Sequence, residues 1–248
     1  MTRHNSSESI PQETDAARAA SWLSRAVGGK FGFLLCALIA LLLSVPMIVH
    51  GWVWNMILGL FASGVLVASL HAARPGRQSL AIGVILALTD LGIGRLVFFE
   101  GGRWLIAVQA TLWLATLIYV IVTILGAVFE RDNVDIETLQ AALCVYLILG
   151  MIWIYVYALI GLAAPGSFQF QGQPRVAWSD DQTRRTEFMR LFIFSYSKLT
   201  GSGNNDLKPV SGFANICVCM EALSAQVYLA LVIARLVAKQ IGKQPPKK

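Results

Sequence analysis

The residues with the most chemistry to offer are Thr200, Gly201, Ser202, Gly203, Asn204, Asn205 and Asp206, preceded by Leu199 and followed closely by Pro209. What such a run of small, turn-prone residues presents is its backbone. Successive carbonyl oxygens can replace the water shell of an ion when they are aimed at one axis. That aim needs alternating backbone handedness, which glycine accepts without steric cost. Taken alone, the run also reads as a flexible Gly/Ser/Asn turn. Its setting changes that. A short aromatic segment, Phe188 to Tyr196, precedes it and is too short to cross a bilayer. A full-length apolar segment, Phe213 to Lys239, follows, and another, Leu139 to Leu162, lies upstream. A span, a half-length helix, a tight polar loop and a second span make a re-entrant pore loop. Irregular backbone at membrane depth persists only where protein buries it or water bathes it.

The whole chain has the composition such a loop requires. Of 248 residues, 56% are hydrophobic and 14% charged, too apolar for a soluble domain of this size. The mean hydropathy of +0.63 agrees. Apolar stretches of about 20 residues, each long enough to span the hydrocarbon core, recur at Phe31–Val49, Val53–Ala72, Leu80–Phe99, Trp104–Phe129, Leu139–Leu162 and Phe213–Ala238. Six spans are therefore expected. The first follows about 30 mostly polar residues with no small-residue cleavage site, so it is expected to stay as a helix.

The net charge of +6 is no nucleic-acid signal here. Arg3, Arg18, Arg25 and Lys30, then Arg74 and Arg77, then Arg235, Lys239, Lys243, Lys247 and Lys248 all fall on the cytoplasmic side of a six-span chain, as the positive-inside rule asks. Arg103, Arg175, Arg184, Arg185 and Arg190 run against it. The expected location is the bacterial inner membrane, multi-pass, with both termini cytoplasmic.

The expected organisation is a cytoplasmic tail over residues 1–30, a four-helix bundle over 31–129, a cytoplasmic linker over 130–138, a pore unit over 139–241 and a short tail over 242–248. Within the tail, 14–27 reads either as an interfacial amphipathic helix or as an extension of the first span. Asp90 and Arg95 interrupt the third span, and charge there marks either function or a pairing between helices. The fourth span, Trp104 to Val128, holds no Lys or Arg, and Gln109 is its only strongly polar side chain. Cys217 and Cys219 have no His or acidic partner close by and read as small buried residues, as do Cys36 and Cys144. Ser179 and Gln182 have capping-box spacing, placing a helix start nearby. No pair of His, Cys or carboxylates converges on any span, so an enzyme is not expected, and no cofactor is called for.

The run Ile193 to Pro209 resembles, without a gap, the pore loop of bacterial potassium-channel-type membrane proteins, which reads roughly YFSFVTLTTxGYGDIxP. Met220 to Val237 is similar to the family's inner helix, and Val145 to Gly150 with Pro165 to Phe168 to its outer helix. The resemblance covers roughly the last 110 residues. It implies an all-α membrane protein of the tetrameric cation-channel architecture: six transmembrane helices, with a re-entrant pore helix and filter loop between the fifth and sixth. The implied partners are three further copies in a homotetramer, membrane lipids, and permeant monovalent cations, potassium and also sodium. Nucleic acid is not among them.

Onto this chain the resemblance carries a selectivity filter at Thr200 to Asp206, with altered residues. Gly203 keeps the first filter glycine and Asn205 replaces the second. Asn204 replaces the bracing tyrosine, Ser202 an aliphatic residue and Gly201 a threonine. Such a filter is expected to be wider and wetter, with weakened or altered potassium selectivity. Ser197, Lys198 and Glu221 support it. Lys198 stands where the family has threonine and pairs with Asp206, pairs with Glu221, or points away. Ala225 occupies the place of a hinge glycine and predicts a straighter inner helix. The function expected is passive conduction of monovalent cations. The alternative is a channel-like protein that does not conduct and serves as a structural or ligand-sensing module.

Overall fold

The computed structural model describes residues 29–50, 59–65, 67, 77–100, 102–129, 135–174, 181–203 and 206–241. It is mostly helical. Helix α1 runs Lys30–Ser44 and continues as a 3-10 turn, Val45–His50, where Pro46 removes a backbone donor. Residues 59–65 are helical. Then follow α2 (Arg77–Glu100), α3 (Arg103–Phe129), α4 (Ile136–Ala163), β1 (Phe168–Phe170), β2 (Gln173–Pro174), α5 (Asp181–Leu199), β3 (Leu207–Pro209) and α6 (Gly212–Ile241).

Among the described residues, four helices are long and apolar enough to cross a membrane: Lys30–Met47, Arg103–Val128, Ile136–Ala163 and Gly212–Arg235. They coincide with the first, fourth, fifth and sixth expected spans. The third expected span, Leu80–Phe99, lies within the helix α2, which holds a shorter apolar stretch, Ala81–Gly94. Most of the second, Val53–Ala72, lies outside the described residues, as do 14–27, Ser179, 130–134 and 242–248.

Helix α4 is the central column, packing on α1, α3, α5 and α6. Asp135 starts it, its carboxylate accepting from the Thr138 amide at 3.0 Å and hydroxyl at 2.9 Å, the usual service of an N-cap to orphan amides. Two apolar clusters flank it. Phe31, Leu34 and Leu38 of α1 meet Leu117, Val120 and Ile124 of α3 and Cys144, Val145 and Ile148 of α4. The other joins Leu105, Ile154, Tyr157, Phe168, Leu191, Phe194, Leu207 and Ala214. Apolar residues at helical spacing on facing helices make both.

Helix α3 is also fastened at each end by an arginine. The Arg103 guanidinium donates to Leu162 O at 2.7 Å, and Arg235 of α6 donates to Val128 O at 2.8 Å. Both carbonyls sit in the last turn of a helix, where intrahelical donors run out.

Candidate functional site

The aromatic segment before the loop is the second half of a longer helix than the sequence suggests. Helix α5 has 19 residues, because the charged stretch Asp181 to Arg190 extends the helix towards its N-terminus. Arg190 closes that half, bridging Glu187 at 2.6 Å and lying 3.9 Å over the Phe170 ring. The helix begins close to the place that the Ser179 and Gln182 spacing points to.

Hydroxyl groups fasten the apolar half to α4. Tyr196 donates to Leu147 O at 2.7 Å, Ser195 to Gly150 O at 2.9 Å, and Tyr146 of α4 to Leu199 O at 3.0 Å. The helices approach closely because Gly150 has no side chain. A Cβ there would stand 2.9 Å from the Tyr196 ring and 3.2 Å from Leu199. Phe194 packs on Tyr157 and Phe168 with ring centroids 5.4 and 6.1 Å apart, edge to face, a favoured aromatic arrangement.

The loop itself opens as a helix terminator. Gly201 has φ 71°, its amide bonds Lys198 O at 3.2 Å, and the Ser202 amide bonds Ser197 O at 2.9 Å. Those two bonds around a left-handed glycine are a Schellman cap. Thr200 adds a hydroxyl bond to Tyr196 O at 2.7 Å and another to Ser202 at 3.3 Å. Gly203 is also left-handed, at φ 77°. The sequence places the handedness changes at Gly203 and Asn205; the structure has them at Gly201 and Gly203, and Asn204 and Asn205 lie outside the described residues. Gly201 is thus the residue that ends α5. Replacing it with alanine is expected to cost about 1–2 kcal/mol, the left-handed penalty for a side chain, measured as loss of thermal stability of the purified protein.

The return path is pinned by a sheet too short for sequence periodicity to reveal, in the order β2-β1-β3. Phe168 pairs with Pro209 and Phe170 with Leu207, while Gln171 and Gly172, both with positive φ, turn the chain into β2. The Gln171 amide donates to Asp206 O at 3.1 Å, and Val210 to Ser167 O at 2.8 Å. Ser211 then caps α6, accepting from the Ala214 amide at 3.2 Å.

The supporting residues divide. Ser197 is buried, donates to Phe194 O at 2.7 Å, and lends its own carbonyl to the cap. Glu221 is fully buried and engages Ser195 at 2.6 Å and the Tyr157 hydroxyl. Lys198 does not bond to it: its ammonium lies 5.2 Å over the Phe194 ring. Ala225 is buried inside a helix that runs unbroken from Gly212 to Ile241. Tyr228 bonds Ala142 O at 2.7 Å and Ser224 meets Trp153 at 3.3 Å, so Ser224 and Ala225 face their own chain.

Sequence reasoning passed over Gly150, Tyr157, Ser195 and Tyr196 as site residues. Their signal was hydroxyls and a glycine inside otherwise apolar helices, where an unpaired polar group is costly. Asp90 is buried beside Gln109 and Trp113 of α3, and its Oδ1 has no hydrogen-bond partner among the described residues. Arg95 lies in the same helix. No group of three His, Cys, Asp or Glu among the described residues is placed to hold a metal. Compared with protein-family models, curated proteins and solved structures, the chain matches none.

Proposed function

We propose that the chain is one quarter of a tetrameric, passive channel for monovalent cations, with the Thr200–Asp206 loop on the fourfold axis and potassium-over-sodium preference weakened. Six spans, with α5 and the loop re-entering from the outer side of a bacterial inner membrane, complete this reading. The observation that carries it is the loop's suspension. Exposed, irregular backbone at Thr200 to Gly203 hangs between a helix docked on α4 and a membrane-length helix α6, tied back by β1 and β3. Such backbone needs water or protein around it, and four copies around a wet axis supply both.

Helix α6 supports the same arrangement. Within an apolar 18-residue stretch of it, 11% of residues are buried by the rest of the chain, against 44% for the corresponding stretch of α4. Phe213, Ile216, Met220, Leu223, Val227 and Leu231, all exposed, recur three or four residues apart along one stripe. That stripe faces neighbouring copies or lipid, whereas the small residues Ser224 and Ala225 are spent within the chain. Native mass spectrometry of the protein in nanodiscs is expected to find four copies; a monomer or dimer contradicts the proposal.

Voltage steepness comes from charge moved through the field, about 2.3 kcal/mol per charge per 100 mV. Helix α3 bears no Lys or Arg after Arg103. Any current is therefore expected to be nearly ohmic, and a steep conductance–voltage curve would contradict that.

The non-conducting alternative draws on one observation, the closed Schellman cap at Gly201, which occupies the Ser197 and Lys198 carbonyls. Ionic current through the purified protein decides between the two.

A further inference from the structure

Glu221 has no exposed surface and sits where α4, α5 and α6 meet. Its Oε1 is 2.6 Å from Ser195 Oγ, and its Oε2 accepts from the Tyr157 hydroxyl. The same Ser195 Oγ is 2.9 Å from Gly150 O. Three contacts at hydrogen-bond distance need three hydrogens. Serine and tyrosine each supply one, and the Gly150 carbonyl supplies none. One place is left for the third hydrogen, the carboxyl group.

With that hydrogen in place, a relay closes. Tyr157 donates to Oε2, the protonated Oε1 donates to Ser195, and Ser195 donates to Gly150 O. Without it, Ser195 must divide one hydrogen between two acceptors, and an anion is enclosed by three helices. Burying an unpaired carboxylate is costly enough that such groups neutralise instead. Among the described residues, the cation facing it is Lys198 of α5, whose ammonium rests over Phe194. The other titratable groups facing it are Tyr157 from α4 and Tyr196 from α5, and Cys217 and Cys219 of α6 face Tyr157.

We propose that Glu221 works as an un-ionised carboxylic acid, a hydrogen-bond donor that clamps α5 to α4 and α6, so that losing this proton releases the seat of the loop. This holds whether or not the loop passes ions. It makes Glu221 a positioning residue acting through Ser195.

The test uses the purified full chain and Glu221→Gln, whose amide can donate to Ser195 and accept from Tyr157. At about pH 4, where an ordinary carboxyl group also holds its proton when the chain is unfolded, the variant is expected to melt at the native temperature. As the pH is raised, the native protein is expected to lose stability before the variant does. The native-minus-variant infrared difference spectrum is expected to contain a carboxylic-acid C=O stretch, and Ser195→Ala is expected to shift that band. The absence of such a band in the difference spectrum would overturn the proposal. So would a Glu221→Gln protein that melts well below the native one, or fails to fold, since its amide supplies the same donor and acceptor.

Discussion

Replacing Gly150 with alanine is expected to destabilise the protein and loosen α5, although the same exchange at an open helix position stabilises. Removing a helical glycine gains up to about 1 kcal/mol in propensity. Against that, the new Cβ lands 2.9 Å from the Tyr196 ring and 3.2 Å from Leu199. Overpacking of this kind costs about 1–3 kcal/mol. If the ring yields, the bond from Tyr196 to Leu147 O is lost as well, worth about 1 kcal/mol more. The steric term wins. Thermal unfolding of the purified variant measures the loss. A second exchange, Tyr196→Leu, is expected to make the pair less destabilising than the sum of the two single changes, since both act on one contact. Independent, additive effects would show that Gly150 does not set the approach of α5 to α4.

The other large effect concerns Lys198. The C-terminal end of a helix carries about half a negative charge, which favours a cation beyond it. Lys198 lies in the last turn of α5 and brings a whole positive charge to that end. The balance at the proposed mouth is therefore repulsive. One charge felt about 8 Å away through an effective dielectric near 20 contributes about 2 kcal/mol, or roughly thirtyfold in rate. Lys198→Thr is expected to raise unitary current by about that factor, with little change in stability because the ammonium makes no salt bridge to Glu221. Restoring threonine, valine, tyrosine and glycine at Gly201, Ser202, Asn204 and Asn205 is the sequence-based route to potassium preference. The first of those changes carries a cost visible only in the structure. Gly201 is left-handed, so a β-branched residue there opposes the Schellman cap. The four-site protein is expected to recover selectivity only if the cap opens, and to carry more current when Lys198→Thr is added.

The long elements were legible because apolar length is a strong signal. The expected spans Trp104–Phe129, Leu139–Leu162 and Phe213–Ala238 lie within α3, α4 and α6, each within a few residues of the observed ends. The missing signals were of three physical kinds. Strands of two or three residues have no periodicity, and β1 to β3 exist only because Leu207–Pro209 returns alongside Phe168–Phe170. The first half of α5 is charged, and its helicity rests on local pairs such as Arg190 with Glu187. The seat of the loop is made by single hydroxyls reaching backbone carbonyls on other helices, contacts that no spacing within one segment encodes. Glu221 was legible as a residue of the site, but its partners were not: it engages Ser195 and Tyr157 and leaves Lys198 over Phe194.

The most direct test of conduction is single-channel recording in planar bilayers, with potassium on one side and sodium on the other, for the native protein and Lys198→Thr. The account predicts a nearly ohmic cation current in the native protein, a reversal potential far from the potassium limit, and larger unitary steps in the variant. Silence in both proteins would contradict conduction and leave the loop a closed structural element, and strict exclusion of sodium by the native protein would contradict a weakened filter.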